Sequence, residues 1–579
     1  MYTRPLVFIK LRDSLGMFSF NSHDDLFATF RLVYVLFGLL AALALWRRPR
    51  PIEALALIVG ANLAAWAVYV APLGRLYALN EMADVSFNVG SAACAAATGN
   101  PFDHTQVRFA HLEPFWSALL ALLAFGHPER VLPLYAWLSP LSIVGVALGL
   151  YYGLASAEDD DGDRWERVLI VLAVLGLSSW SQSQRPPIPA LWAGNFLLKP
   201  NHAMSWGLAG MALGLVARRA RPWVSGLMLG VMAWVFILDW AFLAAGLVLG
   251  TFLRRDAARR DWTGLAQALG LSLLITAPYV RHLLRDHNPA AKGATPDQIW
   301  LDVLGQHLRP PEWATLDLGL LLLLGILGAV VCTRRRTGRD AMLLGLLGAT
   351  WAGWLGYQVG ARFGITPEAD EHHYFLRIAV ALAAGAGLAA VARHVASWRG
   401  LAAGQGAVLV LAAAWPLTFP AYWNPPSMDR YFRYNLDPIP VRVQAYAQWI
   451  RENTPRDAVF LAGRHSGTWI PVLAGRRILL ASDARPPADY EARKEAERVL
   501  LLSGDPRLIA ETARRYGVTY LAIDEPMTEE YGADTLKGIG RVPGYEVVFA
   551  NKLVRILALR PAGAALTSAE AAGRSSASP

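Results

Sequence analysis

From residue 28 to residue 420 the chain is dominated by long apolar runs broken by short arginine-rich stretches. Beyond about 438 these give way to short strand-like runs alternating with polar amphipathic helices. A helix needs about 20 apolar residues to cross the hydrocarbon core of a bilayer. The first pattern predicts about twelve spans, near 28–46, 53–72, 131–153, 167–181, 202–217, 223–238, 240–253, 263–281, 316–333, 341–360, 375–392 and 403–420. The second pattern predicts a helix over 440–452, a strand over 458–462, helices over 489–502 and 506–516, a strand over 518–523 and a terminal strand pair at 545–549 and 554–559. The expected fold class is therefore a polytopic α-helical membrane protein with a small C-terminal α/β domain. Its parts are a membrane domain over 1–420 with a long first outer loop at 73–130, a soluble domain over 421–561, and a disordered Ala/Ser/Gly-rich tail over 562–579.

Loops rich in Lys and Arg stay in the cytoplasm. Five clusters, Arg47–Arg50, Arg218–Arg221, Arg254–Arg260, Arg334–Arg339 and Arg393–Arg399, can all lie on that side together. Four longer connections, 73–130, 182–201, 282–315 and 361–374, then face outward, and so does the C-terminal domain. The stretch 223–253 has arginines at both ends and Asp239 in its middle, so a single crossing would leave a carboxylate in hydrocarbon at a cost of about 2.5–3.5 kcal/mol. A tight hairpin with Asp239 and Trp240 at the outer surface avoids this. Twelve spans place the N-terminus outside although it carries Arg4, Lys10 and Arg12; either 28–46 does not fully cross or the charge rule fails there.

Composition agrees with lipid as the solvent: 54% of residues are hydrophobic and 17% charged, against roughly 25% charged in soluble domains. The net charge of +9 does not point to nucleic acid, because the arginines sit in short clusters between apolar runs and form no single patch. Two cysteines, Cys94 and Cys332, exclude a disulfide scaffold and a Cys-based metal site. The acidic run 158–163 lacks the glutamate that completes a calcium loop and reads as a solvated turn between spans. After the first C-terminal strand, Ala462-Gly463-Arg464-His465-Ser466-Gly467 lacks the spacing of a dinucleotide-binding loop, so that domain reads as structural or acceptor-guiding.

Candidate chemistry gathers in the outward segments. Glu81 and Asp84, three apart, share a face if helical, and could act as general bases or hold a divalent metal such as Mg or Mn; the plainer reading is a polar loop leaving a membrane. Lipid headgroups and lipid-linked substrates present phosphates at the outer surface, where they call for cations. Lys199 with His202, Arg281, and the loop 362–377 with His372, His373 and Arg377 offer them, although each also suits an interfacial anchor. Arg377, just inside an apolar run, is the costliest placement and the preferred phosphate-binding residue. Asp239 is a second outward carboxylate, or simply a polar residue at a hairpin turn.

One order of features carries a resemblance: a carboxylate after an early span, a small-residue helix, the turn Gly99-Asn100-Pro101-Phe102, then His111-Leu112-Glu113-Pro114 opening an apolar helix. This resembles polyprenyl-phosphate-dependent glycosyltransferases of the GT-C class, and is similar to an uncharacterised polytopic membrane family of that group with a His-x-x-Pro helix after a G-x-P turn. The stretches 449–460 and 516–521 are similar to soluble tails of such enzymes. The resemblance implies an integral-membrane glycosyltransferase, inverting, of the bacterial inner membrane, with its C-terminal domain outside. Its donor would be a polyprenyl-phosphate sugar and its acceptor a glycan, lipid or protein. An acidic residue of the first outer loop, Asp84 or else Glu81, would take the acceptor proton, with His111 and Glu113 near the substrates. Many members place that carboxylate at the end of the first span, whereas here it follows the second. Two other readings are a transporter or flippase of a lipid-linked sugar, and a catalytically silent assembly partner. The sequence shows no internal repeat, and nearly all its ionisable groups lie at span ends, which favours interfacial chemistry over transport.

Overall fold

The computed structural model describes residues 23–65, 83–100, 102–107, 114–156, 160–177, 200–286, 319–361, 369–418, 439–480, 489–532, 536, 539 and 544–559. Its helical body comprises α1 His23–Trp46, α2 Pro51–Ala65, α3 Ala83–Thr98, α4 Pro114–Ala124, α5 Val131–Gly153, α6 Asp161–Leu175, α7 Pro200–Ala217, α8 Pro222–Val235, α9 Ile237–Leu253, α10 Arg259–Asp286, α11 Gly319–Arg335, α12 Gly338–Ala361, α13 Ala369–Arg399 and α14 Ala403–Ala414. Pro51, Pro114, Pro200 and Pro222 each open a helix, where the missing N–H has no intrahelical partner to lose. Asp160 caps α6 by accepting from Asp163 N at 2.6 Å.

Side chains such as Leu40, Leu43, Leu141, Leu274 and Phe252 project fully into the surroundings, as expected where lipid replaces water. Among the described residues, however, only Arg259–His282 and Leu376–Arg399 are long and apolar enough to cross a bilayer. The bent pair Pro128–Tyr135 and Pro140–Gly153, folded by 49°, raises that to three, against the expected twelve or so. Among the described residues seven further apolar helical stretches measure 10–17 residues, or ~15–26 Å at 1.5 Å per residue, short of a hydrocarbon core ~30 Å thick.

Glycines bring helix backbones into contact. A Cβ on Gly214 of α7 would lie 1.5 Å from the carbonyl oxygen of Gly153 on α5, and one on Gly149 would lie 2.3 Å from that of Gly207. Small residues at such seams let helices associate where there is no water to expel. Gly328 on α11 meets the carbonyl oxygen of Ala383 on α13 in the same manner.

The C-terminal part adds helix α15 Val441–Asn453, strand β1 Val459–Ala462, helix α16 Arg464–Trp469, a π-helical turn Ile470–Ala474, β2 Arg477–Ile478, α17 Tyr490–Leu502, α18 Pro506–Tyr516, β3 Val518–Asp524, α19 Glu525–Tyr531, β4 Tyr545–Ala550 and β5 Val554–Leu559. The sheet order is β2-β1-β3-β5-β4, with β2, β1 and β3 parallel and β5 and β4 joined antiparallel. One face packs α17 and α18 through Leu500, Ile509 and Leu521. The other, with Phe460, Ile478 and Ile556, joins the same apolar core as Val89 and Ala93 of α3 and the helices beyond. The composition changes near residue 421, yet the packing continues across it.

Candidate functional site

The five arginine clusters meet at one end of the helical body. Glu166 of α6, 2% exposed, accepts from Arg335 at 2.6 and 2.8 Å, from Arg339 at 2.8 Å and from Arg393 at 3.1 Å. Arg335 also donates to Asp340 at 2.7 Å, and Arg339 to Asp163. Arg219 binds Asp261 at 2.6 Å and Asp256 at 2.7 Å, Arg254 reaches the Ala217 carbonyl, and Gln405 of α14 reaches the Trp46 carbonyl. Within the acidic run, Asp160 is thus a helix cap and Asp163 an ion-pair partner. The solvated turn expected there is corrected for Asp163, whose side chain faces Arg167 and Arg339 rather than water.

Because residues 217–222 contact 254–261, the stretch 222–253 leaves this end and returns to it. The reversal falls at Phe236, whose extended backbone (φ −161°, ψ 109°) separates α8 from α9. Asp239 lies in the first turn of α9 and is 1% exposed. Trp240 beside it donates to Ser272 Oγ at 2.6 Å, and Trp234 donates to the Ile275 carbonyl at 3.1 Å.

This far end receives the first outer loop. Gly99 takes φ +78°, and Asn100 then orders the turn: its side-chain NH2 donates to Asp103 at 2.9 Å, its side-chain oxygen accepts from Phe102 N at 3.2 Å, and its carbonyl accepts from Asp103 N at 3.0 Å. The turn projects the ring of Phe102, 42% exposed, to 6.0 Å from both Trp234 and His282, and Trp234 stacks on the buried Tyr279 at 5.3 Å. Residues 105–107 pair with β2: Ile478 N donates to the Thr105 carbonyl at 2.8 Å and Val107 N to the Ile478 carbonyl at 3.2 Å. The loop thereby covers an edge of the C-terminal sheet, and Gly475 of that domain rests on Ala93 and Ala97 of α3.

The candidate residues fall as follows. Asp239 is at the reversal of α8 and α9. Arg377, buried on α13, lies 16 residues from Arg393 and hence ~24 Å towards the far end. Arg281 is exposed near the C-terminal end of α10. Asp84 occupies the first turn of α3, His202 that of α7, and His372 and His373 that of α13; the placement of these four is one of backbone only. Glu81, His111, Glu113 and Lys199 lie outside the described residues. Among the described residues no three His, Cys, Asp or Glu side chains gather closely enough to hold a metal ion; Glu81 and the Asp84 side chain fall outside those residues.

Sequence reasoning missed the Glu166 cluster, Phe102 and the 105–107 pairing. A glutamate directly before the apolar run at 167–181 was the available signal for the first; the other two depend on long-range packing and had none. In the C-terminal domain the crevice between β1 and β3, where open α/β sheets bind ligands, is closed by protein. Asp524 accepts from Ser466 N at 2.7 Å, from Ser466 Oγ at 2.8 Å and from Met527 N at 3.1 Å. A Cβ on Gly463 would stand 1.8 Å from that carboxylate. Burial lowers the pKa of the neighbouring His465, opposed by the charge of Asp524.

No protein-family model and no curated protein matches the chain. Among solved structures it is similar to the oligosaccharyltransferase of Archaeoglobus fulgidus in its apo form, with TM-score 0.45, 13% identity, and coverage of 86% of this chain and 72% of that one. It is similar also to the same organism's enzyme in complex with zinc and sulfate, with TM-score 0.43, 14% identity and coverage of 82% and 68%. A third similar structure is the archaeal oligosaccharyltransferase AglB from that organism with an inhibitory peptide and a dolichol-phosphate, with TM-score 0.42, 13% identity and coverage of 80% and 69%.

Proposed function

We propose that the chain is an integral-membrane glycosyltransferase that moves a sugar from a polyprenyl-phosphate donor to a glycan, lipid or protein acceptor at the face opposite its arginine-rich end. The observation that carries this reading is the segregation of charge: the five arginine clusters close one end through Glu166, Asp256, Asp261 and the carbonyl of Trp46. The other end holds the buried Asp239, the first outer loop and the C-terminal domain clasped to it. A cation at that end would face the donor phosphate, and a carboxylate the acceptor hydroxyl.

In the proposed step Asp84, with Glu81 as the alternative, takes the proton from the acceptor hydroxyl. The freed oxygen forms a bond to the anomeric carbon while the bond from that carbon to the phosphate oxygen breaks, with inversion. Arg377, aided by His372, His373, Lys199, His202 or Arg281, meets the charge left on the phosphate. Asp239 orients the sugar through its hydroxyls, and His111 and Glu113 lie with the substrates. A divalent ion held by Glu81 and Asp84 would supply the same charge neutralisation. The test is transfer from a radiolabelled polyprenyl-phosphate sugar by the purified protein in lipid. Asp84→Asn is expected to lower kcat at least ~100-fold, the usual contribution of a general base, and Arg377→Ala to lower it comparably. Full activity in Asp84→Asn and Glu81→Gln alike removes the catalytic assignment. Vesicle uptake of the lipid-linked sugar without transfer would favour a transporter instead.

A further inference from the structure

The seam between the first outer loop and the C-terminal domain gathers several buried polar groups. Gln106, at its centre and 2% exposed, has neither its side-chain oxygen nor its NH2 hydrogen-bonded among the described residues. Ser91 of α3, next in sequence to the Gly90 that faces Thr105, buries its hydroxyl in the same condition, and so does Arg477 its Nε. Orphaned buried groups of this kind each cost the closed state free energy that an apolar residue of the same shape would not. Among the described residues the polar ties across the seam are few. Two backbone hydrogen bonds join 105–107 to β2, itself only two residues long. Arg477 stands 4.0 Å from Asp103 and Arg451 3.9 Å from Glu129, both partly exposed pairs. On the bundle side the same loop is held by ring contacts of Phe102, and Trp234 there has its N–H satisfied.

We propose that the C-terminal domain is a reversible clasp on the first outer loop. Residues 105–107 leave the β2 edge as a unit, with Gln106 as the built-in destabiliser of the closed seam and the Arg477–Asp103 pair as its latch. Release frees the segment that carries Phe102 and uncovers α3 at Cys94, while α3 itself and the rest of both bodies stay folded. This goes beyond the transfer reading and does not depend on it.

The chain carries its own reporter. Cys94 of α3 is fully buried at this seam, where its neighbouring charges are Asp103, Arg477 and Arg476. In the full-length protein with Cys332→Ala, maleimide labelling of Cys94 under native conditions should proceed by local opening, at a rate insensitive to low concentrations of denaturant. Gln106→Leu, which removes the orphaned amide, should slow that labelling by about tenfold. Arg477→Ala, which removes the latch, should quicken it by roughly two- to fivefold. Labelling of Gln106→Leu at or above the wild-type rate overturns the proposal, and so does wild-type labelling that follows global unfolding with the same denaturant slope. If Gln106→Leu fails to fold, a wild-type rate in Arg477→Ala overturns it equally. Loss of transfer activity with all of these rates as expected would count against the glycosyltransferase reading alone.

Discussion

Removing the Glu166 carboxylate tests the organisation of the arginine-rich end. Three guanidinium groups from α11, α12 and α13 converge on that one side chain. Breaking a buried pair by deleting one partner costs about 3–5 kcal/mol, because the remaining charge stays desolvated. Here Arg335 and Arg393 keep side-chain exposures of 28% and 43% and can turn to water, whereas Arg339 at 9% cannot. Arg335 and Arg339 also retain Asp340 and Asp163. Discounting for exposure leaves about 2–4 kcal/mol for Glu166→Ala. Scaled by the entropy of unfolding per residue over the helical body, that is a fall of roughly 3–6 °C in the thermal midpoint in detergent. Glu166→Gln, which keeps an acceptor oxygen but not the charge, should fall between. The loosening should also be local: Cys332, buried on α11 next to Asp340, should label faster in Glu166→Ala on a Cys94→Ser background. A midpoint within about 1 °C of wild type, less than one kcal/mol would give, together with unchanged Cys332 labelling would refute the view that this cluster ties α6 to α11, α12 and α13.

Gly214→Val places a side chain where the Gly153 carbonyl oxygen is only 1.5 Å from a Cβ position, so α5 and α7 must part. A loss of at least ~2 kcal/mol, seen as a lowered thermal midpoint or lost folded yield, is expected, whereas Gly270→Ala on α10, with nothing within 4 Å, should be silent or slightly stabilising. The lowered pKa of His465 means that the folded C-terminal domain binds fewer protons than the unfolded chain. Its stability should therefore fall as pH drops below about 6.5, the unperturbed value. Hydrogen exchange of the β1 and β3 amides in the full-length protein at pH 7.5 and 5.5 should show this dependence, and His465→Gln should flatten it. An equal pH response in that variant would assign the effect to another group.

Much of the C-terminal domain is legible in the sequence. The helix expected at 440–452 is Val441–Asn453, the strand at 518–523 is Val518–Asp524, and the terminal pair stands at Tyr545–Ala550 and Val554–Leu559. These segments show clear period-two or helical patterning next to Gly, Pro or Asp. The two-residue strand β2 and the short helices α16 and α19 are too brief for any period to show, and long-range pairing makes them. In the helical body the apolar runs mark where helices form but not how far each extends. Pro222 and Phe236 bound an α8 of 14 residues, where hydropathy alone suggests 16.

The sequence by itself determined which segments are apolar, that the arginine clusters share one side, and that residues 222–253 turn back near Asp239, because local composition and the cost of a charge in hydrocarbon fix these without reference to a partner. Only the tertiary structure decided that Glu166 collects three arginines, that Gln106 is buried with its amide unsatisfied, and that the outer loop completes the C-terminal sheet. Each of these joins residues far apart in the chain, from 169 positions between Glu166 and Arg335 to more than 370 between Gln106 and Ile478. Burial and pairing at that range are set by packing rather than by the sequence around either residue.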